Sequence, residues 1–211
     1  MKIFQFDNDM LEKISRITDY AILNILSLIF SLPLITAGTA VSAKYYVAMK
    51  FHRREEPTVL KPFLKAFKEN LPTGTVLSVL CEIIGLSFLM SWLMIRSSEK
   101  GSVPLPVMIS FTIISILFLM ICFCIFPFFA RYDLRVIEII KSVAFFAMAN
   151  AGWILIGLLL EVVTYWFCYQ NIRWCWLIWL ISKSFTLYVF SGFFNKKFDL
   201  LEKAKKIVEG E

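Results

Sequence analysis

Ser31-Leu-Pro-Leu-Ile-Thr-Ala-Gly38 separates two apolar stretches, and the way it is read decides the fold. Residues 20–51 hold one ionisable side chain well inside them, Lys44, and a Pro-to-Gly break near their middle. As one helix they would measure about 48 Å at roughly 1.5 Å per residue, whereas the hydrocarbon core is only about 30 Å thick. The segment therefore bends, re-enters or runs past the bilayer. At membrane depth a broken helix is tolerated only where protein or a water-filled cavity satisfies the freed backbone groups. Such breaks mark binding sites in transporters; more often a proline is simply a packed kink.

The surrounding chain is that of an integral membrane protein. Hydrophobic residues make up 59% of its 211 residues and charged residues 18%, below the ~25% usual in soluble domains. The net charge of +6 does not form a nucleic-acid-binding face. The basic residues sit in short loops between apolar runs, the positive-inside pattern. A cleavable signal peptide is not expected, because Asp7, Asp9, Glu12 and Asp19 precede the first apolar run. Residues 1–19 read as an interfacial helix capped at Asp9 with Glu12 three positions on, or as a plain extension of the first span.

The loop after the first segment is strongly basic, with Lys50, Arg53, Arg54, Lys61, Lys65 and Lys68. Within residues 58–71, Leu60, Phe63, Leu64, Phe67 and Leu71 recur at helical spacing, with Lys61, Lys65, Lys68 and Glu69 on the other face. This predicts an amphipathic helix in the cytoplasmic interface, either anchoring to anionic lipid or docking a cytoplasmic protein. Further spans are expected at 74–95, 104–130, 142–166 and 174–194, followed by a basic tail at 195–211. The loops at 131–141 and the tail carry Lys and Arg, and those near 96–103 and 167–173 are poorer in them. The charge pattern puts 50–72, 131–141 and the C-terminus in the cytoplasm of a multi-pass cell-membrane protein.

Parity returns to the opening stretch. A single crossing by 20–51 makes five spans with the N-terminus outside. A hairpin turning at Pro33–Gly38 makes six segments with the N-terminus inside, but each arm would be only about 20 Å long. One long kinked crossing is the favoured reading. The expectation is a single all-α polytopic membrane domain with about five transmembrane helices, a broken first helix and a cytoplasmic amphipathic helix.

Lys44, Glu82, Glu161 and Lys183 fall inside predicted spans. An ionised side chain at a span centre costs about 2.5–3.5 kcal/mol on the insertion scale, so unpaired placement is disfavoured. Matched depth and opposite sign suggest that Glu82 pairs with Lys183. Glu161 is placed nearer the outer end, and Lys44 can snorkel inward. Asn24 and Asn150 can hydrogen-bond between helices. Of the six tryptophans most fall near span ends, as in an aromatic belt. Cys168 and Cys175 flank a short loop; no cysteine spacing reads as a metal site. No catalytic constellation is found: His52 has no triad partners, and there is no Gly-rich phosphate loop, H-E-x-x-H or G-x-S-x-G. The expectation is a non-enzyme without cofactor.

Three stretches carry a family resemblance. Asn24…Ser31-Leu-Pro-Leu-Ile-Thr-Ala-Gly38…Ala43-Lys-Tyr-Tyr46 resembles the N-terminal signature of the YesL family. Phe63-Leu-Lys-Ala-Phe-Lys-Glu-Asn70 is similar to its F-x-K-x-F-K-x-N segment, and Phe126-Pro-Phe-Phe-Ala-Arg-Tyr-Asp-Leu134 resembles its third landmark. These are small membrane proteins of Gram-positive bacteria without a settled activity, often encoded beside ABC-type carbohydrate-uptake systems and their sensors. Together with the chain's size, its lack of catalytic chemistry and its basic amphipathic helix, this association gives the expectation of an accessory membrane subunit that meets ABC permease subunits and lipid. The matched Pro33, Thr36, Gly38, Lys65, Phe67, Asn70, Arg131 and Asp133 become candidate structural or docking positions, with Lys61, Phe63 and Lys68 beside them. Two other classes stand next to this expectation: a small stand-alone oligomeric transporter or channel using the break and the buried charges, and a membrane regulator coupled to a sugar sensor.

Overall fold

The computed structural model describes residues 2–53, 55, 58–97, 103–132 and 134–209, with the side chains of 2–15, 205 and 207–209 excepted. Asp133 lies outside the described residues. The chain is all-α: α1 (Lys2–Phe30), a 3-10 turn (Leu34–Thr36), α2 (Ala37–Arg53), α3 (Leu60–Ser97), α4 (Leu105–Phe129), α5 (Val136–Ala149), α6 (Ala151–Gln170) and α7 (Cys175–Glu209). Four of these, α3, α4, α6 and α7, are long and apolar enough to cross a membrane.

The first segment is a hairpin, which overturns the single kinked crossing. Tyr20 packs edge-on against Phe51 with ring centroids 5.8 Å apart, and Lys44 Nζ donates to Asn24 Oδ1 at 3.3 Å. Residues before and after the break thus meet in reverse order. The cause is local. Pro33 has no N–H and sits extended at φ −74°, ψ 109°, which stops helix propagation. Ser31 Oγ donates to Ser27 O at 2.6 Å. Thr36 Oγ1 lies 2.8 Å from Phe30 O and 2.9 Å from Pro33 O, bridging the end of α1 to the start of the turn. The tip is apolar and open, with Leu32 and Leu34 76% and 72% exposed. Because α1 runs unbroken from Lys2, Asp9 lies inside the helix and does not cap it.

Small residues let α2 enter the bundle. Gly38, Thr39, Ala40, Ser42 and Ala43 are all buried. Lipid is as apolar as a leucine side chain, so in a bilayer close packing and hydrogen bonds hold helices together. Gly38 N–H donates to Ser78 Oγ of α3 at 2.8 Å, and a Cβ on Gly38 would collide with the Phe126 ring of α4. The expected amphipathic helix forms the first turns of α3 and is not a separate element. Its Phe63 and Phe67 pack at an angle against Phe30 of α1, centroids 5.6 and 4.9 Å away. The two phenylalanines of the apolar face are therefore covered by the chain's own hairpin, while Leu60 and Leu71 are exposed, as are Lys61, Lys65 and Lys68.

The span expected at 142–166 is two helices. The chain breaks at Asn150 (φ −120°, ψ 26°), whose side chain donates to Phe146 O at 3.0 Å. Asparagine readily makes this local bond in competition with the helix, so Asn150 ends α5 instead of joining two helices. α7 supplies the central aromatic row. Phe190, Phe194 and Phe198, on one helical face, are buried completely and meet Phe123, Phe146 and Phe128.

Gly38→Ala is expected to destabilise the fold by about 1–3 kcal/mol through overpacking. Gly152, with nothing near its Cβ position, should tolerate Ala within about ±0.5 kcal/mol. Unfolding midpoints of the two variants in one detergent compare them directly.

Candidate functional site

Lys44, Tyr45, Glu161, Lys183 and Thr186 line a cavity of about 210 Å³ between α2, α4, α6 and α7. Its wall contains Lys44 and Tyr45 from α2, Cys122, Phe123 and Phe126 from α4, Glu161 from α6, and Lys183 and Thr186 from α7. Lys183 and Glu161 form an ion pair with side chains only 17% and 21% exposed. The Lys183 ammonium also lies 5.1 Å from the centre of the Tyr165 ring. The expected pairing of Lys183 with Glu82 does not form. α6 and α7 are antiparallel neighbours, and Glu161 and Lys183 stand nearly equidistant from the turn that joins them, so they lie at the same level. Glu161 accordingly faces the interior and not the outer end of its helix.

Glu82 has a different connection. Ser78 Oγ approaches Glu82 Oε1 at 3.4 Å while accepting from Gly38 N–H. Glu82 is thereby linked through Ser78 to the start of α2, one helical turn away from the hairpin contact.

Lys44 is held by Asn24. The Asn24 carboxamide accepts from Lys44, and its nitrogen donates to Ser184 Oγ at 3.0 Å and to Tyr20 O at 3.1 Å. The side chain is fixed from three directions, so the lysine is positioned by α1 and α7 together. Among the described residues no carboxylate lies within salt-bridge reach of Lys44. With Lys183 and Glu161 neutralising one another, the ionised lysines leave the cavity one positive charge in excess. Isolated, such a charge is costly at membrane depth.

A second polar cluster closes one end of the bundle. Arg131 donates to Glu202 from Nε and Nη2 at 2.8 and 2.9 Å and to Asp199 at 2.8 Å. It also reaches Asn195 at 3.3 Å, and Asn195 accepts from Arg53 Nε at 2.8 Å. Arg131, with its side chain 13% exposed, is therefore a clamp binding the α4–α5 loop to α7 and not a free docking residue. Beside it His52 contacts Ser191 Oγ and Tyr188 O, both at 3.1 Å. Phe63 and Phe67 are likewise unavailable for docking because they are buried. Lys61, Lys65 and Lys68 remain open, and Asn70 is half-buried. Among the described residues no group of three His, Cys, Asp or Glu is placed to hold a metal ion, and all five cysteines are free thiols.

Sequence reasoning found Lys44, Glu161 and Lys183 but missed how they combine, and it missed Tyr45, Cys122 and Thr186. The symmetric placement of Glu161 and Lys183 about a short turn was an available signal. Nothing in the sequence marks the three uncharged wall residues.

Residues 20–92 match the family model described as a protein of unknown function, DUF624. The match takes in the hairpin, the basic loop and most of α3, and it stops before the 126–134 stretch. No curated protein and no solved structure matches the chain.

Glu161→Gln should destabilise the protein by about 1–3 kcal/mol, because it leaves the half-buried Lys183 without its counter-charge. The exchange Glu161→Lys with Lys183→Glu should recover most of that loss, whereas Glu82→Lys with Lys183→Glu should recover none. Thermal unfolding of the single and double variants in detergent provides the comparison.

Proposed function

We propose that this chain is a non-enzymatic accessory membrane subunit of a carbohydrate ABC uptake system and a YesL-like protein. The observation that carries the reading is the uncovered outer half of the α3–α4 pair. No residue from Val79 to Ser97, nor from Leu105 to Leu119, is buried. The two helices meet there through a few rings, Phe88 on Phe118 and Phe111, and Trp92 on Phe111. Two long apolar helices with so little cover inside their own chain offer lateral faces to the transmembrane helices of a permease. The resemblance of three stretches to a family encoded beside such importers supports the choice of partner by association.

In this arrangement the end of the bundle carrying Arg53, Arg131, Lys196, Lys197, Lys203 and Lys206 faces the cytoplasm, following the positive-inside rule. With the first segment a hairpin, the N-terminus lies on that same side. The exposed Lys61, Lys65 and Lys68 of α3 then stand at the cytoplasmic interface. A stand-alone transporter is the second reading, favoured specifically by the charged cavity against a re-entrant hairpin, a combination that transporters use for solute sites.

Affinity purification of the tagged chain from native membranes in mild detergent, followed by mass spectrometry, separates the two. Stoichiometric recovery of permease subunits is expected. Recovery of this chain alone, together with solute flux into proteoliposomes that contain only it, would replace the accessory reading with the transporter.

A further inference from the structure

We propose that the cavity between α2, α4, α6 and α7 binds a small carboxylate anion, with the Lys44 ammonium as its principal ligand. The inference stands apart from the accessory reading, since it concerns what occupies the bundle interior and not what packs outside it.

Charge comes first. The cavity wall holds two lysines and one glutamate, and the glutamate is already paired with Lys183. One monovalent anion would balance what remains. A cation would face two ammonium groups, and a dianion would leave a charge unmatched. The geometry of Lys44 agrees. An ammonium has three donors, and among the described residues Lys44 makes one hydrogen bond, to Asn24 at 3.3 Å. Charge-assisted bonds of this kind are normally about 2.7–2.9 Å long. Lys44 is thus oriented by a neutral amide but not saturated by it. Asn24, anchored by Ser184 and the Tyr20 carbonyl, acts as a positioning residue that holds the amine at the cavity wall.

Size and lining select the class of anion. At about 210 Å³ the space exceeds the ~150 Å³ cavity that accommodates benzene. It can hold a carboxylate with an organic body as well as a bare ion. The wall includes the hydroxyl-bearing Tyr45 and Thr186 beside the aromatic Phe123 and Phe126. That mixture suits a molecule with a charged head and an uncharged remainder. A carboxylate bonded to Lys44 inside the low-dielectric bundle interacts far more strongly than it would in water.

The test uses the full-length protein in nanodiscs of phosphatidylcholine, whose headgroup has no carboxylate. Its unfolding midpoint is followed during titration with sodium acetate, sodium glucuronate or sodium chloride at matched ionic strength. A saturable rise is expected for a carboxylate, larger than that for chloride. Lys44→Gln should weaken apparent carboxylate affinity by about tenfold or more, while Lys44→Arg keeps the charge and most of the binding. Glu161→Gln, which frees Lys183, should bind the carboxylate more tightly than wild type, and the exposed Glu138→Gln should bind like wild type. Equal rises with all three salts, an unaltered carboxylate response in Lys44→Gln, or weaker binding in Glu161→Gln would overturn the proposal. If Lys44→Gln yields no folded protein, the wild-type titration alone decides, and a midpoint unmoved by either carboxylate counts against the site.

Discussion

Everything in this fold depends on how the backbone groups freed at Ser31–Thr36 are satisfied. A helix break inside a bilayer is admissible only if the protein itself supplies hydrogen-bond partners. Here the Thr36 hydroxyl reaches the last carbonyl of α1 and the carbonyl of Pro33, and Ser78 of α3 takes the N–H of Gly38. With the break closed in this way the chain can reverse. The reversal brings α2, with its row of small residues, into the middle of the bundle. Had the chain continued straight, Lys44 would lie far from Asn24, and the charged cavity would have no α2 wall.

The remaining helices share a division of labour. α7 holds the centre through Phe190, Phe194 and Phe198, and it carries polar groups at three levels. Lys183 and Ser184 serve the cavity, Ser191 meets His52, and Asn195, Asp199 and Glu202 receive Arg53 and Arg131. The polar groups on α7 are answered by α1, α2, α6 and the α4–α5 loop. The one helix therefore fixes the depth of the hairpin, the α4–α5 loop and α6 relative to one another. Hydrogen bonds between membrane helices are individually modest, typically under about 1–2 kcal/mol, so their distribution over several elements matters more than any single bond. α3 and α4 beyond Val79 and before Met120 take no part in this network and lie outside the packed region.

Much of the architecture was legible. The apolar runs mark the four helices long and apolar enough to cross a membrane, although the run at 142–166 is divided between α5 and α6, and the Pro-to-Gly stretch marks where the first segment departs from a plain span. What escaped was direction. A proline permits either a kink or a reversal, and only tertiary partners such as Ser78 and Phe126, distant in sequence, decide between them. The same distance explains the misassigned ion pair. Depth estimated by residue count placed Glu82 opposite Lys183, while chain connectivity put Glu161 beside it. Phe63, Phe67 and Arg131 read as surface features because amphipathic spacing and a basic loop look alike whether the partner is lipid, another protein or the rest of the same chain. Asn150 was visible as a polar residue, but its role as a helix end required its φ and ψ.

The reversal at Ser31–Thr36 is also the point on which topology and cavity both turn. It is tested most directly by sidedness labelling. Ile17→Cys and Thr58→Cys, each in a cysteine-free background, would be treated with a membrane-impermeant maleimide in intact spheroplasts and in inside-out vesicles. The hairpin predicts that both positions are labelled from the same side, the cytoplasmic one. Labelling of position 17 from one side and position 58 from the other would mean that residues 20–51 cross the membrane once, and would contradict the fold described.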